Sequence, residues 1–360
     1  EAGVDGLILV CAGAGGHAGT LSPFALVSEV RRFFDGPLLL SGAIATGEGV
    51  YGLRRALGSA GVAGGGLQVT HSIELPTRAH GLLPQPDGSL LVVSRRPGQW
   101  MLRWQPGRPV QWQWSEPARR FCGHVLAADG VLFTTETDVD SGAGLLVKRD
   151  GRSLARLAEW PTHGSDPHAM LVDADGSLLV ANGGVPSQPE RGRVKLALEQ
   201  MDSSLVRLEA RSGEVRGQWR LDDQRLSLRH LARHPSGTVG VALQAEHDDV
   251  DARLGASLLA LFDGTDLRLA EQPRPLAGYG GDIVATERGF VVAATRAAGL
   301  ADWNVQGHWQ GFTELDEACA LARDAQGRVW AAGRGAIRRG GHDHPAAGLR
   351  FDNHWALARR

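Results

Sequence analysis

Cysteine is scarce in this 360-residue chain: Cys11, Cys122 and Cys319 are the full set, and none sits in a C-x-x-C pair. An odd number without that spacing excludes a disulfide framework and a cysteine-rich zinc module. Long apolar runs are missing too. No stretch of 18 or more apolar residues occurs, so no transmembrane helix is expected. No basic segment followed by an apolar one marks an export signal, which by itself points to the cytoplasm. The chain also lacks an excess of either charge, with a formal net charge of -2. Arg95-Arg96 and Arg119-Arg120 are too short to form a basic patch, so nucleic acid is not an expected partner. No Walker loop, zinc-protease motif or Ser-His-Asp order speaks for a kinase or a hydrolase.

Glycine, by contrast, is plentiful, with 49 residues, beside a hydrophobic content of 42%. The glycines recur in a pattern. PHAMLVDADGSLLVANGG reads as a strand, a tight Asp-Gly turn and a second strand, because such a turn needs positive φ that glycine adopts cheaply. Related segments begin near Arg78, Cys122, Leu228, Gly280 and Glu317, about 40 to 60 residues apart, which is the period of propeller blades. A half-copy, FDNHWALA, follows them, and LQVTHSIEL, from Leu67, alternates as an outer strand would. Joining the two as a shared closing blade predicts an all-β fold, a seven-bladed β-propeller over residues 67–360.

Aligning the copies places one residue at the start of each first strand: His80, His124, His168, His230, Asp282, Cys319 and His354. The turn glycines follow six to eight residues later. In a propeller the first strand lines the central channel. The column therefore predicts a ring of five imidazoles, a carboxylate and a thiol, a ligand set suited to iron or copper, or to zinc. At metal–nitrogen distances of about 2.0–2.1 Å, not all seven reach one ion. Two or three neighbours, or histidines meeting a small metal complex, are the workable forms. The alternative is structural: such residues also hold blades in register through backbone or water hydrogen bonds. Arg78, Arg120 and Arg229 lie one to four residues ahead of ring histidines and would bring positive charge to the channel mouth.

Four lesser groupings are visible. Glu136, Asp138 and Asp140 follow one second strand and could hold calcium. Asp248, Asp249 and Asp251 cluster similarly, and exposed acidic turns are the alternative for both. An insertion after Val185 carries Arg191, Arg193 and Lys195, and His342 and His344 stand two apart in a loop.

Residues 1–50 lie outside the repeat. GLILVCAGAGG, SPFALVSEVRRFF and PLLLSGAIATG read as strand, helix and strand, a short β-α-β fragment of TIM-barrel type. Ser22 is placed to cap the helix and Pro23 to begin it. Residues 51–66, rich in glycine and alanine, form a junction.

Ala12 to Gly47 resembles the flavin-dependent nitronate monooxygenases. That resemblance implies FMN as cofactor, His17 as catalytic base, and Gly15, Gly16, Ser41 and Gly42 against the flavin. From Arg78 to His354 the chain resembles the bacterial domain of unknown function 1513 family, through RAHG, SRRPG, GHVLAADG, TTETD, PHAML, VANGG, GRVKL, LRHLA and FDNHW. The resemblance implies an exported, periplasmic seven-bladed propeller beside an imelysin-type iron-uptake protein as partner, with no established activity. Binding of a metal or metal complex and flavin-dependent oxidation are thus the two functional expectations.

Overall fold

A computed structural model describes residues 7–10, 38–41, 55–63, 66–186, 197–333, 335–345, 351 and 354–357. The chain divides into two compact units, residues 1–57 with 73–78, and residues 58–72 with 79–360. In the first, β1 (Leu7–Val10) and β2 (Leu38–Ser41) pair in parallel, register Leu7 to Leu38. The expected helix between them, with Ser22 and Pro23, lies outside the described residues. So do His17, Gly15, Gly16 and Gly42. Ser41 ends β2. The expected junction contains β3 (Arg55–Ala63), which pairs with β4 (Gly66–Leu75) in a two-stranded sheet.

The second unit carries six four-stranded sheets, each built from four strands in sequence order. Blade one comprises β5 (Ala79–Pro84), β6 (Leu90–Ser94), β7 (Trp100–Trp104) and β8 (Gln111–Trp114). Blade two comprises β9 (Arg119–Ala128), β10 (Val131–Asp138), β11 (Ala143–Asp150) and β12 (Arg156–Ser165). Blade three comprises β13 (Pro167–Val172), β14 (Leu178–Asn182), β15 (Ser204–Leu208) and β16 (Val215–Trp219). Blade four comprises β17 (Leu226–Arg233), β18 (Val239–Ala245), β19 (Leu259–Phe262) and β20 (Leu267–Leu269). Blade five comprises β21 (Gly280–Ala285), β22 (Gly289–Ala294), β23 (Gly299–Asn304) and β24 (Trp309–Glu314). Blade six comprises β25 (Ala320–Arg323), β26 (Val329–Ala332), β27 (Ala336–Arg339) and β28 (His342–Pro345).

The propeller thus has six blades among the described residues, not the expected seven. The strand assigned to a shared blade, LQVTHSIEL, is used in β4, and its partner is β3, two residues away in sequence. Closing so short a loop costs less entropy than recruiting FDNHW from more than 270 residues away. Residues 354–357 carry no strand.

Apolar residues alternate along the strands so that the core lies between blades. Leu179, Ala181 and Leu205 of blade three meet Leu228, Val241 and Leu243 of blade four. Phe133 and Leu146 of blade two meet Val180 and Val206 in the same way. A sheet buried on both faces accepts continuous apolar runs, which explains LLVAN in β14, buried throughout.

The turns follow the sequence pattern. Gly88, Gly130, Gly176, Gly237 and Gly327 have φ between 78° and 97°. In blade three, Asp175 Oδ1 accepts hydrogen bonds from Ser177 N at 3.0 Å and Ser177 Oγ at 2.5 Å. A Cβ at Gly176 would meet nothing within 4 Å, so only its φ of +83° resists substitution. Gly176→Ala is therefore expected to cost about 1–2 kcal/mol of unfolding free energy, measured by urea titration. A cost below a few tenths would show that this turn does not need the left-handed conformation.

Candidate metal centre

Each of the first five innermost strands breaks its ladder at the ring column. In β5 three steps, Ala79 to Leu82, face two on β6, Ser94 to Val92, so an extra residue is accommodated around His80. The same one-residue irregularity occurs around His168 in β13, between Leu228 and His230 in β17, and around Asp282 in β21. In β9 four steps, Phe121 to Val125, face two on β10, and His124 lies within that bulge. A bulge leaves the extra residue unpaired and re-aims its side chain. In β17 the extra residue is Arg229 and His230 stays paired with Ala242, whereas in the other four strands the column residue itself lies in the break.

The rings converge. His80, His124, His230 and His354 each offer a ligand atom, and all four atoms lie within 4.8 Å of one another. His168 joins them, its Nε2 3.4 Å from His80 Nε2, with ring centroids 4.6 Å from His124 and 4.7 Å from His230. Nε2 of His124 and of His354 and Nδ1 of His168 are buried without a hydrogen-bond partner. Those orphaned nitrogens fit a metal. A tetrahedral ion with bonds of about 2.0–2.1 Å needs nitrogens ~3.4 Å apart, so from a bound of 4.8 Å the widest pair must close by up to about 1.4 Å.

Close approach at the ring requires glycine. Gly123, at φ +107°, lies so near His80 that a Cβ there would stand 2.5 Å from the imidazole Cδ2. The HG of blade one and the CGH of blade two are therefore packing signatures as well as repeat marks.

Electrostatics keeps the rings neutral. Burial is the largest cause lowering the proton affinity of His80, His124, His168 and His230 well below 6.5. Mutual repulsion adds to it, as does the Arg229 guanidinium beside His168 and His230. A neutral imidazole presents a lone pair, the form a metal binds.

The other column members take different places. Asp282 is buried; its Oδ1 accepts from Ile283 N at 2.9 Å, and its Oδ2 from Leu321 N at 2.9 Å and His354 Nδ1 at 3.2 Å. It orients a histidine and lies outside the group of four. Cys319 also lies outside it. Its Sγ contacts the Ala332 carbonyl at 3.5 Å, and β25, which it precedes, runs in unbroken register with β26. Without a bulge, nothing turns this position inward. Cys122 stays a thiol, since burial pushes it up to about 11.

Arg229 is not at an open mouth but 1% exposed, with Nη1 2.7 Å from Asp166 Oδ2 and Nη2 3.9 Å from Glu246 Oε1. Arg96 meets the other Asp166 oxygen. This buried network links blades one, three and four next to His168 and His230. The sequence reading missed Asp166, Glu246 and Arg96, although Asp166 stands just before PHAML. Arg120 donates to the carbonyls of Pro117 and Arg119, and Arg78 falls in the first unit.

Where the lesser groupings fall on described residues, their members take separate partners or separate places. Glu136 is buried against Arg149 Nη2 at 2.6 Å and Thr134 Oγ1 at 2.6 Å, whereas Asp138 binds Ser141 and Arg119. Asp249 caps α1 (Val250–Gly255) by accepting from Ala252 N, and Asp248 pairs with Arg225. His342 and His344 are on β28 at the outer edge of blade six. Arg191, Arg193 and Lys195 lie outside the described residues.

Residues 73–358 match the family described as "Protein of unknown function (DUF1513)", and the chain belongs to it. That match does not reach residues 1–50, so the flavoenzyme resemblance rests on its motif alone. No curated protein matches the chain. Among solved structures, a streptogramin B lyase is 12% identical with a TM-score of 0.56, over 78% of this chain and 87% of that one. Virginiamycin B lyase from Staphylococcus aureus is 10% identical, TM-score 0.55, over 78% and 89%. The WD40 β-propeller domain of Doa1 is 12% identical, TM-score 0.51, over 76% and 85%. At these identities the likeness is one of fold, the β-propeller.

Two expectations follow. In metal-free protein, imidazoles with depressed folded pKa values give stability that is complete above 6.5 and lost as pH falls toward those values. Each such histidine contributes up to about 1.4 kcal/mol per pH unit. Urea unfolding between pH 7.5 and 5.5 should show a steeper acid loss for wild type than for His168→Gln, by about one proton. Equal slopes would contradict a neutral His168. Gly123→Ala, which adds a clash to a strained φ, should cost roughly 2–5 kcal/mol in the same assay. A loss as small as that of Gly176→Ala would deny the close packing on His80.

Proposed function

We propose that this member of the DUF1513 family is a metal-binding propeller that holds one late first-row ion in its channel. The ligands are His80, His124, His230 and His354, with His168 packed against them. The observation that carries the reading is that four histidines each offer a ligand atom within 4.8 Å of the others, in a cluster where Nε2 of His124 and Nε2 of His354 are buried and unpartnered.

The donor set narrows the metal. Four neutral nitrogens without a carboxylate or thiolate suit copper, zinc, nickel or ferrous iron and disfavour calcium and magnesium, which take oxygen. Within that group the ordinary affinity order places copper first, and ferrous iron reaches the same ligands more weakly. Four protein ligands fill a tetrahedral ion. A filled shell suits binding or delivery better than catalysis, which keeps a position open for substrate. Periplasmic location and an imelysin-type iron-uptake partner belong to the same proposal, on the family resemblance.

Elemental analysis of purified protein, followed by titration with Cu(II), Zn(II) and Fe(II), tests it. Wild type should take up one ion per chain, copper most tightly. The His124→Ala/His230→Ala double variant should lose at least a hundredfold in affinity while its far-ultraviolet circular dichroism is unchanged. Uptake of none of the three ions by wild type would return the cluster to a purely structural role.

A further inference from the structure

His354 differs from the other ligands in where it comes from. His80, His124 and His230 ride on the innermost strands of blades one, two and four. His354 is carried by a segment, residues 354–357, that has no strand. That segment touches five of the six blades, since the His354 ring centroid lies 5.4 Å from that of His124 and 4.7 Å from that of His230, besides its contacts with blades six, one and five. Trp355 lies edge-on to Trp330 of β26, with centroids 6.3 Å apart. His354 packs its ring on His80 of β5 at 4.4 Å and bonds Asp282 of β21. It thus meets blades six, one and five as well as two and four, at the column position where the repeat calls for a seventh member.

We infer that the bound metal acts as a clasp that fastens this segment across the propeller, and that Asp282 is the residue that sets the clasp. The inference rests on the metal-binding reading above. Asp282 accepts from His354 Nδ1 and so fixes the proton on that nitrogen, leaving the buried and unpartnered Nε2 as the ligand atom. A carboxylate behind a metal-bound histidine orients the ring and raises its basicity. Asp282 is itself held by the N–H groups of Ile283 in blade five and Leu321 in blade six. The chain of bonds therefore runs from two blades through Asp282 and His354 to the metal, and from there to blades one, two and four.

The consequence is thermodynamic. A strand is tied into its sheet by a ladder of hydrogen bonds, whereas this segment, among the described residues, holds through the ring contacts of His354, its carboxylate bond and the Trp355–Trp330 contact. If docking of the segment raises metal affinity, the metal must raise docking by the same factor. Metal binding and closure of the propeller are then one coupled event. Asp282 and Cys319, which break the histidine column, gain a reason. Blade five supplies the orienting group, and blade six needs no ligand because the segment packed on it brings one.

The experiment combines zinc titration calorimetry with hydrogen exchange on the full chain, read at residues 355–357, with a peptide from the outer strands β15 and β16 of blade three, which carry no ligand, as reference. Zinc should slow exchange at 355–357 at least tenfold and leave that reference peptide unchanged. Asp282→Ala should weaken zinc binding 10–100-fold, and should leave exchange at 355–357 fast at zinc concentrations that protect wild type. His354→Ala, which alters only the strandless segment, provides a second variant with the same expectation. Zinc binding in both variants as tight as in wild type, with no protection of 355–357, would overturn the clasp and leave a site on His80, His124 and His230. Failure of wild type to bind zinc, copper or ferrous iron would overturn the metal reading and the clasp with it.

Discussion

Four imidazoles, His80, His124, His168 and His230, packed with ring centroids 4.6 to 6.1 Å apart, can share a channel only if they carry little charge. Placing even two protonated rings at that separation, away from water, costs several kcal/mol. Burial settles the matter by pushing the proton affinities of His80, His124, His168 and His230 down. Everything else about the centre follows from that neutrality. Neutral rings can touch edge to face, they expose lone pairs, and they leave unpartnered nitrogens that a cation would satisfy.

The scaffold is arranged to sustain this. Bulges on five innermost strands fall at or beside the column, and Gly123 lets blade two approach the His80 ring. Cross-blade hydrogen bonds fix the backbone on either side. Thr135 Oγ1 donates to the His168 carbonyl at 2.8 Å, Ser227 Oγ to the Gly183 carbonyl at 2.7 Å, and Leu228 N to Ser203 Oγ at 2.9 Å. The Arg96–Asp166–Arg229 network braces the same level. A buried pair of this kind adds little net stability but is costly to break from one side. It also places fixed positive charge beside rings that must stay neutral.

The propeller and the site use different kinds of bonding. Blades one to six are held by apolar clusters between sheets, from Leu132 and Leu154 in the first interface to Leu315 and Leu321 in the last. Residues 354–357 contribute no ladder, yet His354 occupies the ring. The sequence column identified a seventh member correctly as a ring residue and incorrectly as part of a seventh blade. Side-chain chemistry and strand pairing were inferred from one alignment, although they obey separate constraints.

Local pattern was enough for the repeat, the turn glycines, the antiparallel strands and the histidine column, because each depends on period-2 alternation or on the φ preference of one residue. It also gave the parallel pairing expected of Leu7–Val10 and Leu38–Ser41. Blade number was beyond it, since closure depends on which partner β4 finds, and nearby β3 competes with a distant segment. The roles of Asp282 and Cys319 were beyond it too. A bulge is a relation between two strands, visible as a register shift at Asp282 and absent beside Cys319, and no single strand encodes it. Arg229 read as a channel-mouth cation because its partners, Asp166 and Glu246, lie 63 and 17 residues away in sequence. Short-range sequence determined which groups could enter the channel; the tertiary packing decided which of them met.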